Sequence, residues 1–272
     1  MRASRTPPRW HPSPLLLASA GVHGGAAAAV LAQAQLWPWA LGAILADHAL
    51  LAAAGLWPRS RLLGSNWTHL PQASGATLPI ALTLDDGPDP EITPRVLELL
   101  ARYGARATFF CIGERVEAHR ALARELVAGG HGIENHSQRH LPYFSLLGPR
   151  RLRGEIERAQ QSIAAVSGEA PRFFRAPAGL RNPFLDPILQ RLGLQLASWT
   201  RRGFDTVERR PERVLGALTR GLGPGDILLL HDGHAARTGA GAPVVLEVLP
   251  RLLAALADAG LTTVRLQDAL PA

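Results

Sequence analysis

"PIALTLDDGPDP", residues 79–90, is the stretch whose reading decides the fold. A short apolar run meets two adjacent aspartates, Asp85 and Asp86, and stops at a Gly-Pro turn. Short apolar runs that end at such punctuation read as buried strands. Two neighbouring carboxylates repel each other unless a positive group sits beside them. The stretch therefore predicts a buried strand whose carboxyl end carries a site built around positive charge.

Downstream, strand-like runs at 107–112, 131–136, 172–176, 194–200, 226–232 and 261–266 alternate with helical stretches at 91–103, 114–129, 149–167, 183–192, 211–222 and 243–259. This alternation predicts an α/β fold with a mainly parallel sheet covered on its faces. So many units suit a (β/α) barrel, where reactive residues collect at the carboxyl ends of strands. Asp85, Asp86, His136, Arg175, Thr200 and His231 all fall at such ends.

"NHSQRH", 135–140, sharpens the chemistry. On one helical turn, His136 and His140 would share a side, with Cβ atoms about 5–6 Å apart. Alone, the pair reads better as two surface histidines. Joined to the aspartate doublet, it completes a set of two imidazoles and one carboxylate that leaves a position open for water, as hydrolytic metal sites do. One aspartate would bind the ion and the other would stay free to take a proton.

Upstream, residues 15–34 and 36–57 are each about the 20 residues needed to cross a hydrocarbon core as a helix. Trp37, Trp39 and Trp57 flank the second as an interfacial belt. A secretory signal ending in "AQA", 32–34, is the competing reading, but it leaves the second segment unexplained. Asp47 and His23 lie mid-segment, so Asp47 or His48 is expected to face His23 across a hairpin. Arg2, Arg5 and Arg9 precede the first segment and Arg59 and Arg61 follow the second. That asymmetry predicts a protein of the inner membrane with both ends, and the rest of the chain, on the cytoplasmic side. The expected organisation is a basic tail over 1–14, two transmembrane helices over 15–57, a linker over 58–77 and a catalytic domain over 78–272.

All 29 basic residues are arginine, against 22 acids, and the net charge is +7. The excess flanks apolar segments and forms no aromatic-studded patch, so nucleic-acid binding is not implied. The lone Cys111 excludes an intrachain disulfide and reads as strand packing.

"LTLDDGPDP", "GHGIENHSQRH", "FRAPAGLRNP", "SWTRRGFDT" and "ILLLHDG" together resemble the five ordered motifs of the polysaccharide deacetylase (NodB-homology) family, carbohydrate esterase family four. The resemblance covers roughly residues 78–272. It implies a distorted (β/α) barrel that removes acyl groups from N-acylated sugars of a glycan or glycolipid, using a divalent metal ion, commonly zinc. By motif, Asp86, His136 and His140 would hold the ion, Asp85 would be the general base and His231 the general acid. Arg175 would hold and tune Asp85, and Asp205 would pair with His231. A backbone N–H near Ala178 would assist at the oxyanion, and Trp199 would line the sugar site. One departure bears on substrate, since Ala178 stands where an aromatic is usual; another, Thr206 after Asp205 where Trp is usual, bears on the role of Asp205. His119, His131 and His234 match no role and read as surface or turn residues. Removal of O-acetyl groups is a close rival by the same chemistry. A non-catalytic carbohydrate-binding membrane protein is the alternative that the five retained polar centres argue against.

Overall fold

The structure, a computed structural model, describes residues 10–71 and 79–270. The arginines at 2, 5 and 9 and the last residues of the expected linker lie outside the described residues. Two helices, α1 (Pro14–Ala32) and α2 (Trp37–Leu56), come first. There follow β1 (Pro79–Asp85), α3 (Thr93–Arg102), β2 (Thr108–Cys111), α4 (Gly113–Ala118), α5 (Arg120–Ala128) and β3 (Gly132–Asn135). The chain continues through α6 (Pro149–Ser167), β4 (Phe173–Phe174), α7 (Leu185–Arg191), β5 (Gln195–Leu196) and β6 (Arg201–Arg202). It ends with α8 (Pro211–Thr219), β7 (Ile227–His231), α9 (Val244–Asp258) and β8 (Thr262–Val264).

The strands pair in parallel, in the order β5-β4-β3-β2-β1-β7-β6, with β8 joining the start of β1. The sheet curls into an open barrel. Among the described residues β5 and β6 do not pair with each other. Residues 67–70 lie across that seam: Trp67 bridges to Ala197 on one side and His69 to Asp226 on the other. The stretch expected as linker is thus partly laid along the barrel.

Side chains on a strand alternate between faces. On β1, Ile80, Leu82 and Leu84 join the core under the helices, with Val96 and Leu100 of α3 and Leu249 and Leu252 of α9. Each such fully buried side chain contributes about 1.5–3 kcal/mol. Ala81 points into the barrel instead, with Phe110, Phe173 and Leu229. Continuing the alternation, Thr83 and Asp85 on β1, His231 on β7 and Arg175 after β4 share the interior face. The periodicity that builds the core therefore aims these polar groups inward.

The helix expected over 114–129 is two helices, broken at His119 (φ −123°, ψ 49°). An unbroken helix would bury Val127 with Val116 and Ala123. The break re-phases the stripe, so that Leu126 is buried and Val127 exposed.

α1 and α2 pack as a hairpin in which Ser19 and Asp47 meet, and the residues buried on the two helices are small or polar: Ser19, Ala26, Asp47, Ala54 and Gly55. Its large apolar side chains face outward, Leu31 88% and Trp39 79% exposed. As expected, His23 faces both Asp47 (Nδ1 to Oδ2, 3.7 Å) and His48 (ring centroids 5.2 Å apart).

The hairpin is fastened to the barrel mouth. The Arg181 N–H donates to the Gly55 carbonyl at 3.1 Å, and any Cβ at position 55 would collide with the Arg181 carbonyl. Ser198 Oγ donates to the Pro58 carbonyl (2.6 Å), Ser13 Oγ to the Leu62 carbonyl (2.7 Å) and Trp10 Nε1 to Asp186 (2.7 Å).

Candidate active site

Register assembles the site. β1 and β7 pair with Asp85 opposite His231. Asn135, at the end of β3, lies opposite Cys111 on β2 and Phe174 on β4. Asp86, His136 and Arg175 each follow the last residue of a strand, so all reach the same end of the barrel. There Asp86 and His136 line a cavity of about 240 Å³ with Asp85, His140, Ala178, Trp199 and His231. A wider groove of about 630 Å³ over α6, between Arg150, Arg151 and Arg158, contains none of the strand-end carboxylates or histidines.

His136 and His140 do not lie on a helical turn. The Asn135 side chain accepts the Ser137 N–H (2.9 Å) and Ser137 Oγ accepts the His140 N–H (3.0 Å), while Ser137 (φ 66°) and His140 (φ 50°) are left-handed. Asn and Ser offer the backbone partners that compete with helical ones. Arg139, between the histidines, is pinned by buried Glu155, which accepts its N–H (3.1 Å) and its Nε (2.9 Å). The loop still brings the two rings together, centroids 4.8 Å apart.

Asp86, also left-handed (φ 74°), completes the group. Its Oδ1 lies 3.3 Å from His136 Nε2 and 3.2 Å from His140 Nε2. His136 Nδ1 is 2.8 Å from the Arg175 carbonyl, which can only accept, so Nδ1 carries the proton and Nε2 the lone pair. Asp86 Oδ2 is taken by His234 Nδ1 at 3.2 Å. His234 is itself oriented by Arg115, which can only donate, 3.0 Å from Nε2. Asp86 Oδ1 is buried and has no hydrogen-bond partner among the described residues. A carboxylate oxygen stranded between two imidazole nitrogens without a hydrogen bond is costly alone. It is the donor set a divalent cation takes, so the residues present fit such an ion.

The electrostatics agree. Burial opposes ionisation of Asp86, but the adjacent His136, His234 and His140 rings hold its carboxyl well below the ordinary carboxylate range. Burial works against a proton on His136, yet the Asp85 and Asp86 carboxylates draw it upward. Burial and then the neighbouring His136 push His140 down to about 4. Asp86 is thus ionised, and with Asp85 it draws positive charge toward the cluster.

Asp85 is held apart from this set. Arg175, 1% exposed, donates from Nη1 to Asp85 Oδ1 (2.6 Å) and to Thr83 Oγ1 (2.8 Å), and from Nη2 to the Ser198 carbonyl (2.7 Å). Its guanidinium also lies 4.0 Å from the centre of the Phe110 ring. Asp85 Oδ2 remains 3.8 Å from His136 Nε2, beyond a hydrogen bond. Across the cavity, Asp205 accepts from His231 twice, from the backbone N–H (2.7 Å) and from Nδ1 (2.8 Å). Burial alone would lower His231, but the Asp205 carboxylate raises it to about 9. Ala178 sits exposed at the mouth with φ 55°, a conformation costing about 1–2 kcal/mol for a residue with a Cβ. Trp199 is buried behind it.

All nine expected positions therefore meet at one end of the barrel. Sequence reading took His234 for a surface or turn residue, noted Thr206 only as a departure beside Asp205, and gave Arg115 and Arg202 no part in the catalytic site. The structure instead sets His234 against Asp86, Arg115 against His234, and Arg202 and Thr206 on the cavity wall. His234 carried one signal, since it follows "HDG" directly, but nothing marked its contact with Asp86, which lies 148 residues away.

The sequence profile described as polysaccharide deacetylase matches residues 74–197. A peptidoglycan-N-acetylglucosamine deacetylase of Bacillus cereus is 37% identical over 175 residues, 64% of this chain and 81% of that protein. The chain belongs to the polysaccharide deacetylase family, carbohydrate esterase family four. Within the family, a chitooligosaccharide deacetylase of Sinorhizobium fredii is 33% identical over 197 residues, 70% of this chain and 91% of that one. A family 4 carbohydrate esterase from Streptomyces lividans, solved in complex with acetate, superposes with a TM-score of 0.61 at 33% identity, covering 68% of this chain and 90% of its own. Together these relatives account for the curled parallel barrel. The matched lengths fall short of the whole chain.

Proposed function

We propose that the chain is a membrane-anchored, metal-dependent hydrolase that removes an N-acyl group, acetyl in its named relatives, from an amino sugar of a glycan or glycolipid. One observation carries the reading: the buried, partnerless Asp86 Oδ1 between His136 and His140, flanked by a separately held Asp85 and an Asp205-bound His231. Asp86, His136 and His140 would hold the ion, and their nitrogen and oxygen donors suit zinc. When bound, it supplies Lewis acidity, polarising the acyl carbonyl and acidifying water.

The chain's own groups do the rest. Asp85 takes a proton from the attacking water; Arg175, on Oδ1, fixes the carboxylate and leaves Oδ2 toward the cavity. The Ala178 N–H is the candidate donor to the acyl oxygen as it gains charge. His231, with Nδ1 committed to Asp205, gives its Nε2 proton to the leaving amine nitrogen. With its pKa raised to about 9, it is protonated at neutral pH and fit to act as an acid. The carbon–nitrogen bond breaks, releasing a carboxylate and a free amino sugar.

Anchoring is supported by the hairpin's outward apolar and inward polar residues, the arrangement expected of helices packed in lipid. The arginines at both ends support the cytoplasmic side. A reporter fused after Ala272 that is active only outside the cytoplasm would reverse that orientation. The activity is tested by acetate release from N-acetylated chitotetraose and peptidoglycan with zinc-loaded and chelator-treated full chain. Zinc-dependent release is expected; release from O-acetylated glycans alone would make it an esterase.

A further inference from the structure

A second groove, of about 800 Å³, opens beside the active-site cavity and shares Trp199 and Arg202 with it. Arg59, Arg201, Arg213 and Arg220 line the remainder, with Glu212 as its acid. The acid is already engaged by Arg251 (3.0 Å), and Arg201 is already engaged by Asp226 (2.6 Å). The other four arginines are poorly compensated. Arg213 is 3.8 Å from Glu208, which Arg210 holds more closely at 2.8 Å. Arg59 donates to the Thr200 carbonyl (3.2 Å) and meets no carboxylate among the described residues. The Arg220 side chain has no partner among the described residues. Arg202 lies over the rings of Trp199 (5.4 Å) and Phe204 (5.0 Å), with its Nε buried and lacking an acceptor. Planar guanidiniums converging without an anion match phosphate oxygens.

The groove also has a fixed place relative to the hairpin. Arg59 follows Trp57, at the end of α2, by two residues, which span at most about 7 Å. Pro58 between them is bound by Ser198 and lies against Gly179 and so against the wall of the active-site cavity. The end of the hairpin, the arginine groove and the deacylation cavity are therefore contiguous.

We infer that this groove binds the phosphate of a lipid-linked amino sugar, so that the substrate's lipid stays in the bilayer, its phosphate meets Arg59, Arg202, Arg213 and Arg220, and its N-acyl group enters the neighbouring cavity. The inference rests on the N-deacylase reading. A neutral polymer would leave these cations without a role and would give no reason to clamp the membrane hairpin onto the site's rim.

The test uses the full chain in nonionic detergent micelles. Binding is measured for geranylgeranyl diphosphate, geranylgeraniol, inorganic diphosphate and vesicles of anionic phospholipid, with wild type and R213Q/R220Q. These arginines are exposed, and circular dichroism checks that the variant folds. Geranylgeranyl diphosphate is expected to bind at least about tenfold more tightly than geranylgeraniol, and the double substitution to weaken it about tenfold or more. The KM for prenyl-diphosphate-linked N-acetylglucosamine, divided by the KM for chitotetraose, should rise in step. Equal binding of alcohol and diphosphate, or no effect of R213Q/R220Q, would overturn the inference. Inorganic diphosphate or anionic vesicles competing as well as the prenyl diphosphate would overturn the substrate assignment in favour of free phosphate or headgroups. Absence of N-acyl hydrolysis on every substrate, with the binding difference intact, would overturn the deacylase reading and leave the phosphate groove standing.

Discussion

Among the described residues, two groups of one aspartate and two histidines have donor atoms close enough to share an ion: His23, Asp47 and His48 in the hairpin, and Asp86, His136 and His140 at the barrel's strand ends. Composition does not separate them; hydrogen bonding does. In the hairpin, Asp47 Oδ2 accepts from Ser19 Oγ (2.7 Å) and His23 Nδ1 is 2.8 Å from the Ser19 carbonyl, so the polar atoms answer one another. In the barrel, the second oxygen of Asp86 is answered by His234, the back of His136 by a carbonyl, and the inward Oδ1 by nothing. The first group satisfies itself and joins two helices. The second is held open by its surroundings, beside a cavity, with a carboxylate and an imidazole of different duty next to it.

Breaking the second group should have the largest consequences. Asp85→Ala should lower kcat by about 10²–10⁴-fold, the usual contribution of a positioned base, while zinc content by elemental analysis stays at one ion per chain. Unchanged turnover would remove Asp85 from that role. His136→Ala and His140→Ala should each lose zinc on dialysis, whereas His23→Ala and His48→Ala should retain it; the reverse pattern would exchange the two groups. His234→Ala leaves the three donors in place but frees Asp86 Oδ2, and should weaken zinc affinity about 10–100-fold in competition with a chelating dye. An unchanged affinity would make that contact incidental.

A subtler break concerns protons. The raised His231 pKa makes its contribution to stability full below the unfolded value of 6.5 and lost as pH rises through about 9. Its ability to donate a proton fades over the same upper limb. Asp205→Asn removes the anion and leaves the burial, so the basic limb of kcat/KM should move to lower pH; an unmoved limb would assign it to another group. The smallest effect belongs to the hairpin. Asp47→Asn should change the thermal midpoint in detergent by the equivalent of about 1 kcal/mol or less, with no change in zinc content.

Much of this was legible before any coordinates. The alternation of apolar runs and amphipathic stretches foretold the parallel sheet, because strand periodicity and helix periodicity are written in neighbouring residues. The strand ends themselves, at the last residue for Asp85 and His231 and one residue past it for Asp86, His136 and Arg175, brought these groups together. Contacts that depend on local backbone competition were not legible. The turn that brings His140 beside His136 is made by the side chains of Asn135 and Ser137, which a helical spacing rule ignores. His119 broke an expected helix for the sake of Leu126 packing. The seating of residues 58–70 on the barrel, and of His234 on Asp86, are long-range pairings with no periodic signature.

The most direct measurement is anomalous X-ray scattering from crystals of the zinc-loaded full chain, collected on both sides of the zinc absorption edge. The account predicts one peak within coordination distance of Asp86 Oδ1, His136 Nε2 and His140 Nε2, with Asp85 outside that distance. A peak among His23, Asp47 and His48 instead, or a strand-end cavity without zinc, would contradict it.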